Sequence, residues 1–182
     1  MTITQKNLLI FLIFVGFSFP FTYAKKLEEN YPIGEITRED LHKYPFQIYF
    51  DYNYGAYNLD AELLKAVEGM WSDISIIIFM GSWCHDSQRE IPALFKILDS
   101  IAFDASKIRM IALSKDKSTP DKIEKKFSVT RTPTIIFYRS GKEIGRYVEH
   151  ARTSLEKDIL AILSGDDYEE SYYQDPVTPS PR

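Results

Sequence analysis

The amino-acid sequence predicts an α/β fold in which a central mixed β-sheet is flanked by helices. Three observations support this prediction: a continuous apolar run at 74–80, alternating helical and strand-like segments around it, and a hairpin signal near the end of the chain. The chain has 182 residues, of which 45% are hydrophobic, so it can bury a full core. We therefore expect one α/β domain at residues 46–164.

The first part of this domain combines strands with a helix. A strand is expected near Phe46–Phe50. The apolar residues of 63–71 recur at helical spacing, with Asn58 or Asp60 available as the helix cap. Ile74–Met80 is a continuous run of apolar, β-branched residues, which is typical of a central strand buried on both faces.

The next three elements continue the alternation. Ile91–Leu98 carries the apolar face of a helix that begins near Cys84, and Ile108–Leu113 is expected to form another interior strand. Thr119 is placed to cap a short helix, with Pro120 at its first position, where the missing N–H costs nothing.

The last part of the domain predicts a hairpin and a helix. Thr134–Tyr138 and Glu143–Val148 are strand-like and are joined by a tight turn that contains Gly141. Thr153 and Glu156 form a capping box ahead of a final amphipathic helix. After the first helix, the predicted order is therefore β-α-β-α-β-β-α.

Residues 1–24 have the pattern of a secretory signal peptide. Lys6 is their only charge, Leu8–Phe17 is nearly all apolar, and the segment ends at the small residue Ala24, which favours cleavage there. The alternative is an uncleaved anchor, but Pro20 shortens the apolar run below the length that spans a membrane comfortably. We expect an exported protein with no stable membrane insertion after cleavage.

Two further segments flank the predicted domain. Residues 25–45 form an N-terminal extension, and tyrosines are frequent from there to residue 57. These aromatics are expected to cover the domain and pack against it, with a ligand or partner surface as the alternative. Residues 165–182, which are acidic and then proline-rich, are expected to form a disordered tail.

The composition argues against several classes of function. The net charge is −4 at pH 7 and there is no basic cluster, so nucleic acid is not an expected partner. Three histidines and one cysteine without paired spacing do not predict a metal site. There is no glycine-rich phosphate loop, and we predict no cofactor.

The only cysteine, Cys84, lies at a predicted junction between a strand and a helix. The first helical turn has unpaired N–H groups and a partial positive charge, so a cysteine there is stabilised as the thiolate, which is the nucleophile. Ser87 could donate its hydroxyl to the same sulfur, while the carboxylate of Asp86 opposes a second negative charge. His85 could offset that carboxylate when protonated. We expect a moderately activated thiol.

Four features around this cysteine occur together at fixed spacings. They are a tryptophan before the cysteine, a proline eight residues after it, a Thr-Pro pair ahead of a strand, and a glycine eight residues after that pair's proline. The residues are Trp83-Cys84, Pro92, Thr132-Pro133 and Gly141. With this order of elements, the chain resembles the thioredoxin-like superfamily over about residues 46–164, which implies a thioredoxin-like fold.

A narrower resemblance concerns the stretch Phe79–Glu90. It is similar to a group of exported bacterial thioredoxin-family proteins that share a Trp-Cys-x-Asp-Ser-x-Arg-Glu pattern, and Gly145–Glu149 and Ser154–Asp158 match the same group. The resemblance implies a periplasmic or other extracytoplasmic location in a bacterium. It also implies that a serine at position 87 is the normal state of a monothiol site.

The family implies a role for each matching residue. Cys84 would be the attacking thiol, and Trp83 would shield and shape the surface beside it. Pro133 would follow a cis peptide bond, which would place the Thr132 backbone where it can pair with an extended substrate segment.

Two positions depart from the pattern of dithiol thioredoxins. Ile78 stands where those proteins carry a buried acid that assists proton transfer at the second thiol. Because Ser87 replaces that second thiol, the two losses are consistent with each other. Glu149 stands where a glycine is frequent near the rim of the active site, so the substrate groove is expected to differ.

A single thiol can attack a disulfide and form a mixed disulfide, but another thiol must then release it. The leading hypothesis is a monothiol thiol-disulfide exchange protein of the cell envelope, acting as an oxidoreductase or isomerase. Its substrate would be a protein disulfide or a low-molecular-weight thiol. Its external thiol reductant would be glutathione, a substrate cysteine or a separate reductase.

Two alternatives belong to other classes. In the first, the domain is a non-catalytic module that binds a client or partner beside Pro133, and the thiol is incidental. The second is a peroxide-reducing thiol. It is disfavoured because the Thr and Pro residues that peroxide-reducing relatives place just before the cysteine are absent.

Overall fold

The computed structural model describes residues 31–166 and 168–171. The strands are Gly34–Ile36 (β1), Ile74–Met80 (β2), Ile108–Ala112 (β3), Thr134–Arg139 (β4) and Lys142–Val148 (β5). The helices are Arg38–Leu41 (α1), Phe46–Ala56 (α2), Ala61–Ala66 (α3), His85–Ser100 (α4), Ile123–Lys126 (α5) and Leu155–Ser164 (α6), with a short 3-10 turn at Ala105–Lys107. The expected signal peptide, residues 25–30 of the extension and the tail from residue 172 lie outside the described residues.

The strands form one five-stranded sheet in the order β1-β3-β2-β4-β5. β2 and β3 are parallel, and the other neighbouring pairs are antiparallel. Helices cover both faces of this mixed sheet, which confirms the predicted α/β class. The hairpin between β4 and β5 is also confirmed, and Gly141 in its turn has a φ of 79°, a left-handed conformation that glycine adopts readily.

The central strand β2 divides the core into two hydrophobic clusters. Ile74, Ile76 and Ile78 lie on the face that α2, α4 and α6 cover. Phe79 faces the smaller cluster, to which Phe127, just after α5, is attached. Successive residues of a strand point to opposite faces, so covering both faces requires the continuous apolar run that the sequence shows.

The predicted strand at Phe46–Phe50 is wrong, because this segment forms the first part of α2. Phe46 and Phe50 are buried, and Phe50 packs on Phe95 of α4 with ring centroids 6.0 Å apart. Phe46, Phe50 and Tyr54 recur every four residues, so one helix face carries all three rings. Aromatic side chains favour strands in general, but burial of this face against α4 decides the conformation.

The cysteine helix α4 begins where the sequence predicts, with Cys84 as its N-cap. Pro92 lies inside this helix and has no N–H to donate to the carbonyl of Gln88. The side-chain amide of Asn53 on α2 donates to that carbonyl instead, at 3.0 Å. The proline therefore leaves a helix carbonyl available, and the hydrogen bond to that carbonyl connects α2 with α4.

Helix ends differ in detail from the predictions. Asp60, the second of the two proposed caps, accepts hydrogen bonds from the first turn of α3. This helix ends before Gly69, which has a φ of 81° and interrupts the predicted 63–71 helix. The N-cap of α6 is Ser154, one residue after the predicted Thr153, because Ser154 has the extended backbone that a cap needs.

The helix predicted from Thr119 starts later than expected. Pro120 lies in a turn, and α5 begins at Ile123. The hydroxyl of Thr119 still accepts a hydrogen bond from the Ile123 N–H at 3.1 Å, and it donates to Glu124 at 2.8 Å. Thr119 therefore stabilises the start of the helix from four residues upstream.

The described part of the predicted tail contacts the domain. Gly165 ends α6 in a left-handed conformation. Tyr168 donates to Asp158 of α6 at 3.2 Å, and Ser171 donates to the carbonyl of Val148 at the end of β5 at 2.6 Å. Among the described residues, no helix has the length and apolar character needed to span a membrane.

Candidate functional site

The candidate site lies at the junction between β2 and α4. The backbone N–H of Cys84 donates to the Gly81 carbonyl at 2.8 Å, and the Cys84 carbonyl accepts from Gln88 at 2.9 Å in the first helical turn. These bonds hold the cysteine backbone at the helix start. Its side chain is a free thiol with intermediate exposure, so a reagent can reach it.

The sulfur of Cys84 lies 3.1 Å from the carbonyl oxygen of Thr132, and the geometry is that of a thiol donating to a carbonyl. The peptide bond between Thr132 and Pro133 is cis, as the resemblance implies. The fold thus brings together residues 48 positions apart in the sequence. A thiolate has no proton to donate, so ionisation breaks this contact and frees both the sulfur and the carbonyl.

Trp83 covers the strand end beside the cysteine. Its indole N–H donates to the carbonyl of Leu113 at 2.9 Å. The ring lies against Gly81 so closely that a Cβ added there would come within 2.6 Å of the indole. Gly81 is therefore a positioning residue that the sequence analysis did not single out. Its signal was a glycine directly after a buried strand and two residues before the tryptophan.

Ser87 and His85 take different positions around the thiol. Ser87 is fully buried, and its hydroxyl accepts a hydrogen bond from the Gly81 N–H at 3.2 Å, rather than making the expected bond to the sulfur. His85 is exposed and lines a groove between α2 and α4. Ile78 is also fully buried, so the position of the family's acid is filled by an apolar side chain.

A charged rim surrounds the Thr132–Pro133 segment. The backbone N–H of Glu149 donates to the Pro133 carbonyl at 2.8 Å. The Glu149 side chain lies 3.1 Å from Arg131 and 3.9 Å from Lys117. Glu149 has a φ of 57°, a left-handed conformation, which is consistent with the glycine that relatives often carry there. Arg131 and Lys117 carry no sign in the sequence of a place at the rim, because only the fold brings them there.

A second network lies under the first turns of α4. Glu90 is buried, and it accepts hydrogen bonds from Tyr147 at 2.7 Å and from Arg89 at 2.6 Å. Arg89 also donates to Asp86 at 2.9 Å. Burial, together with the negative charge of Glu90, raises the pKa of Tyr147 far above its usual value, so the phenol stays protonated as a donor.

Potential metal ligands do not cluster in this part of the chain. Within residues 31–166 and 168–171, no group of three or more His, Cys, Asp or Glu side chains has an arrangement that could hold an ion. The chemistry available at the site is that of one thiol, one backbone carbonyl and a shielding indole.

Comparison with known proteins finds a thioredoxin of similar sequence. Thioredoxin H2 of Arabidopsis thaliana is 30% identical over 87 residues, which are 48% of this chain and 61% of that protein. The chain thus spans about three-fifths of this relative's length.

Two solved structures are among those that match the chain. A crystal structure of a protein of unknown function from Pseudomonas aeruginosa has a TM-score of 0.50 and 17% identity, and the match covers 78% of this chain and 87% of that one. The structure of Trxlp from Edwardsiella tarda has a TM-score of 0.38 and 20% identity, with coverage of 58% and 94%.

The thioredoxin family model matches residues 58–161. This range contains the strand-to-helix junction at Cys84, the cis peptide bond and four of the five strands. The fold is therefore thioredoxin-like, and the chain belongs to the thioredoxin family.

Proposed function

We propose that this protein is a monothiol thiol-disulfide exchange protein of the cell envelope. The Cys84 thiolate attacks one sulfur of a substrate disulfide, which forms a Cys84–substrate disulfide and releases the other sulfur as a thiolate. An external thiolate then attacks the substrate sulfur of the mixed disulfide. This second exchange regenerates the Cys84 thiolate and leaves the substrate disulfide-bonded to the external thiol.

The observation that carries the proposal is the 3.1 Å contact between the Cys84 sulfur and the Thr132 carbonyl. The thiol lies at a helix start. The neighbouring carbonyl is a backbone acceptor that an extended substrate can use once the thiol ionises. The intermediate exposure of the cysteine is consistent with attack on a macromolecular disulfide.

The need for an external thiol follows from two side chains. Ser87 stands where the second cysteine of a redox pair would lie. It has no sulfur, and its hydroxyl accepts a hydrogen bond from the Gly81 N–H. Ile78 offers no carboxylate to accept a proton from a second thiol. Among the residues that the structure describes, neither a resolving thiol nor its base therefore lies beside Cys84.

The location in the cell envelope rests on the sequence of residues 1–24. Edman sequencing of the protein from its own cells is expected to begin at Lys25 and not at Met1. Fractionation should then recover the mature chain with extracytoplasmic proteins, and a cytoplasmic chain that retains Met1 would refute this part of the proposal.

The reaction is tested by trapping thiols with acid and measuring intact masses. Protein from cells should include a fraction with an adduct on Cys84 that a reducing agent removes, and Cys84→Ser should show none. A protein that is always unmodified, together with normal activity of Cys84→Ser toward disulfides, would overturn the proposal. Client binding that survives Cys84→Ser without any adduct would favour the binding-module alternative.

A further inference from the structure

A cluster of exposed apolar side chains lies on α2, the helix that packs beside the start of α4. Ile48, Tyr49 and Tyr52 are 60%, 43% and 74% exposed, and their spacing places them on one side of the helix. Phe46 and Phe50 already provide the buried side of α2. The exposed apolar side, which we call the outer face of α2, is therefore not needed to attach the helix to the domain. Contiguous exposed apolar surface of this kind marks binding sites.

A groove of about 450 Å³ separates this outer face from α4. We call it the aromatic groove. Its α4 wall is formed by His85, Gln88 and Arg89. His85 follows Cys84 directly, so the groove begins one residue from the reacting thiol. A chain joined to Cys84 through a disulfide can therefore reach the groove with the residues next to its own cysteine.

The amide groups at the groove are already used within the protein. The Asn53 side chain donates to the carbonyls of Tyr49 and Gln88, both at 3.0 Å. The Gln88 side chain donates to the Ser82 carbonyl at 2.9 Å. What the groove offers an occupant is mainly contact with aliphatic and aromatic surface.

The charge of the groove is also compensated. Arg89 lies 2.6 Å from Glu90 and 2.9 Å from Asp86, so its guanidinium is shared between two carboxylates. Glutathione and similar small thiols carry free carboxylates, and no other Lys or Arg side chain belongs to the groove lining in the described part of the chain. The chemistry therefore favours uncharged apolar side chains over a small anionic thiol.

The aromatic groove lies partly outside the matched family domain. The family match begins at residue 58, and α2 ends at Ala56. The α2 wall of the groove thus lies outside the matched domain. The α4 wall lies inside it and belongs to the first helical turns after Cys84. This continuity with the thiol site points to a role in the selection of its substrate.

We propose that the aromatic groove binds apolar side chains of an extended polypeptide segment that flanks the target disulfide in a protein substrate. The inference rests on the proposed function and specifies its substrate class as protein disulfides in apolar segments. The carbonyl of Thr132 lies 3.1 Å from the Cys84 sulfur, so a substrate cysteine can be held by its backbone there and by its neighbouring side chains in the groove.

Two peptides of equal charge test this inference. Each carries one cysteine in a mixed disulfide with 2-nitro-5-thiobenzoate, flanked by Leu and Phe in one peptide and by Ser in the other. Attack of Cys84 on the peptide sulfur releases the coloured thiolate and gives a rate constant. Mixed disulfide between glutathione and the same chromophore serves as the low-molecular-weight probe.

The wild-type protein is expected to react about tenfold faster with the apolar peptide than with the Ser peptide, since burying one large side chain supplies about that factor. The glutathione probe should react no faster than the Ser peptide. The double variant Ile48→Ser/Tyr52→Ser should reduce the peptide ratio to near one. Ile33→Ser removes a side chain that is 49% exposed outside the groove and should keep the ratio of the wild type.

Three outcomes would overturn the inference. A wild-type ratio near one, or a ratio unchanged in the double variant, would show that the groove does not select the substrate while leaving thiol exchange intact. Self-association that is lost in Tyr52→Ser would assign the groove to a second copy of the chain. A wild-type protein that releases no chromophore from any probe would instead refute the proposed function itself, and the inference with it.

Discussion

Ser87 lies three residues after Cys84, in the place where a second thiol would act on a mixed disulfide. Its hydroxyl is buried and accepts the Gly81 N–H, so it supports the backbone at the strand end. Because Ser87 has no thiol, the lifetime of a mixed disulfide at Cys84 depends on the external thiol.

Ser87→Cys should convert the site into one that releases its own product. The new thiol lies on the same turn as Cys84, and its effective concentration exceeds that of dilute external thiols, so the mixed disulfide should decay at least about tenfold faster. The oxidised variant should lose two hydrogens by intact mass. Ser87→Ala keeps a single thiol and should keep the long-lived mixed disulfide. An equally long lifetime in Ser87→Cys would contradict this prediction.

Gly81→Ala should disturb the indole that shields the thiol. The added Cβ would lie 2.6 Å from the Trp83 ring, so the ring must move and its bond to the Leu113 carbonyl is lost. We expect the free energy of unfolding to fall by about 1–3 kcal/mol, with a shift in tryptophan emission. Gly55→Ala is the matched control, because nothing lies within 4 Å of its added Cβ. That change within α2 should stabilise the protein by about 0.5–1 kcal/mol.

At the scale of elements, the pairing of α2 with α4 depends on a proline. Pro92 leaves the Gln88 carbonyl without its helical partner, and Asn53 supplies the missing donor. The same helix pair forms both walls of the aromatic groove, so the bond also sets the spacing of the groove.

A double-mutant cycle measures this bond. Asn53→Ala leaves the partly buried Gln88 carbonyl unpaired and should lower the free energy of unfolding by about 1–3 kcal/mol. In a Pro92→Ala background, residue 92 regains an N–H for that carbonyl, so Asn53→Ala should cost clearly less. Urea unfolding of the four proteins gives the coupling energy. A coupling near zero would show that Asn53 acts independently of the proline.

The elements that the sequence predicts correctly are those whose pattern and environment agree. The run Ile74–Met80 is buried on both faces, and its bounds are those of β2. The strand prediction for the start of α2 is wrong because the aromatic residues there favour strands locally. The face that decides the conformation packs against α4, which is far away in sequence. The strand propensity of a segment does not include its contacts with residues that are distant in sequence.

The same distinction applies to the candidate site. Cys84 as the helix cap follows from local pattern, and the contact with Thr132 follows from resemblance to a known family. Arg131 and Lys117 come to the rim only through the fold, and Glu90 of α4 is paired in the interior with Tyr147 of β5. A charged residue on a predicted helix gives no local sign of a distant phenol.

At the scale of the whole molecule, one buried and two half-buried tyrosines connect segments that are distant in sequence. Tyr57 donates to Glu156 at 2.6 Å, Tyr147 donates to Glu90 at 2.7 Å, and Tyr168 donates to Asp158 at 3.2 Å. These bonds join the segment after α2 to α6, β5 to α4, and the C-terminal segment to α6. In each case burial is the main cause that raises the pKa of the tyrosine, and the carboxylate acceptor adds to it.

This arrangement predicts a loss of stability at alkaline pH. Above about pH 10, tyrosines of the unfolded chain ionise, whereas the folded protein keeps these three protonated. The unfolded state then binds fewer protons, so the free energy of unfolding falls as the pH rises, by about 1.4 kcal/mol per pH unit for each tyrosine. Urea unfolding between about pH 8 and pH 11 measures the slope, which should be near zero below the ordinary tyrosine pKa of about 10. Tyr147→Phe removes one of the three groups. The free energy of unfolding should then fall less steeply with pH, by about 1.4 kcal/mol per pH unit, which corresponds to one proton. An unchanged slope in that variant would mean that Tyr147 ionises in the folded protein as readily as in the unfolded chain.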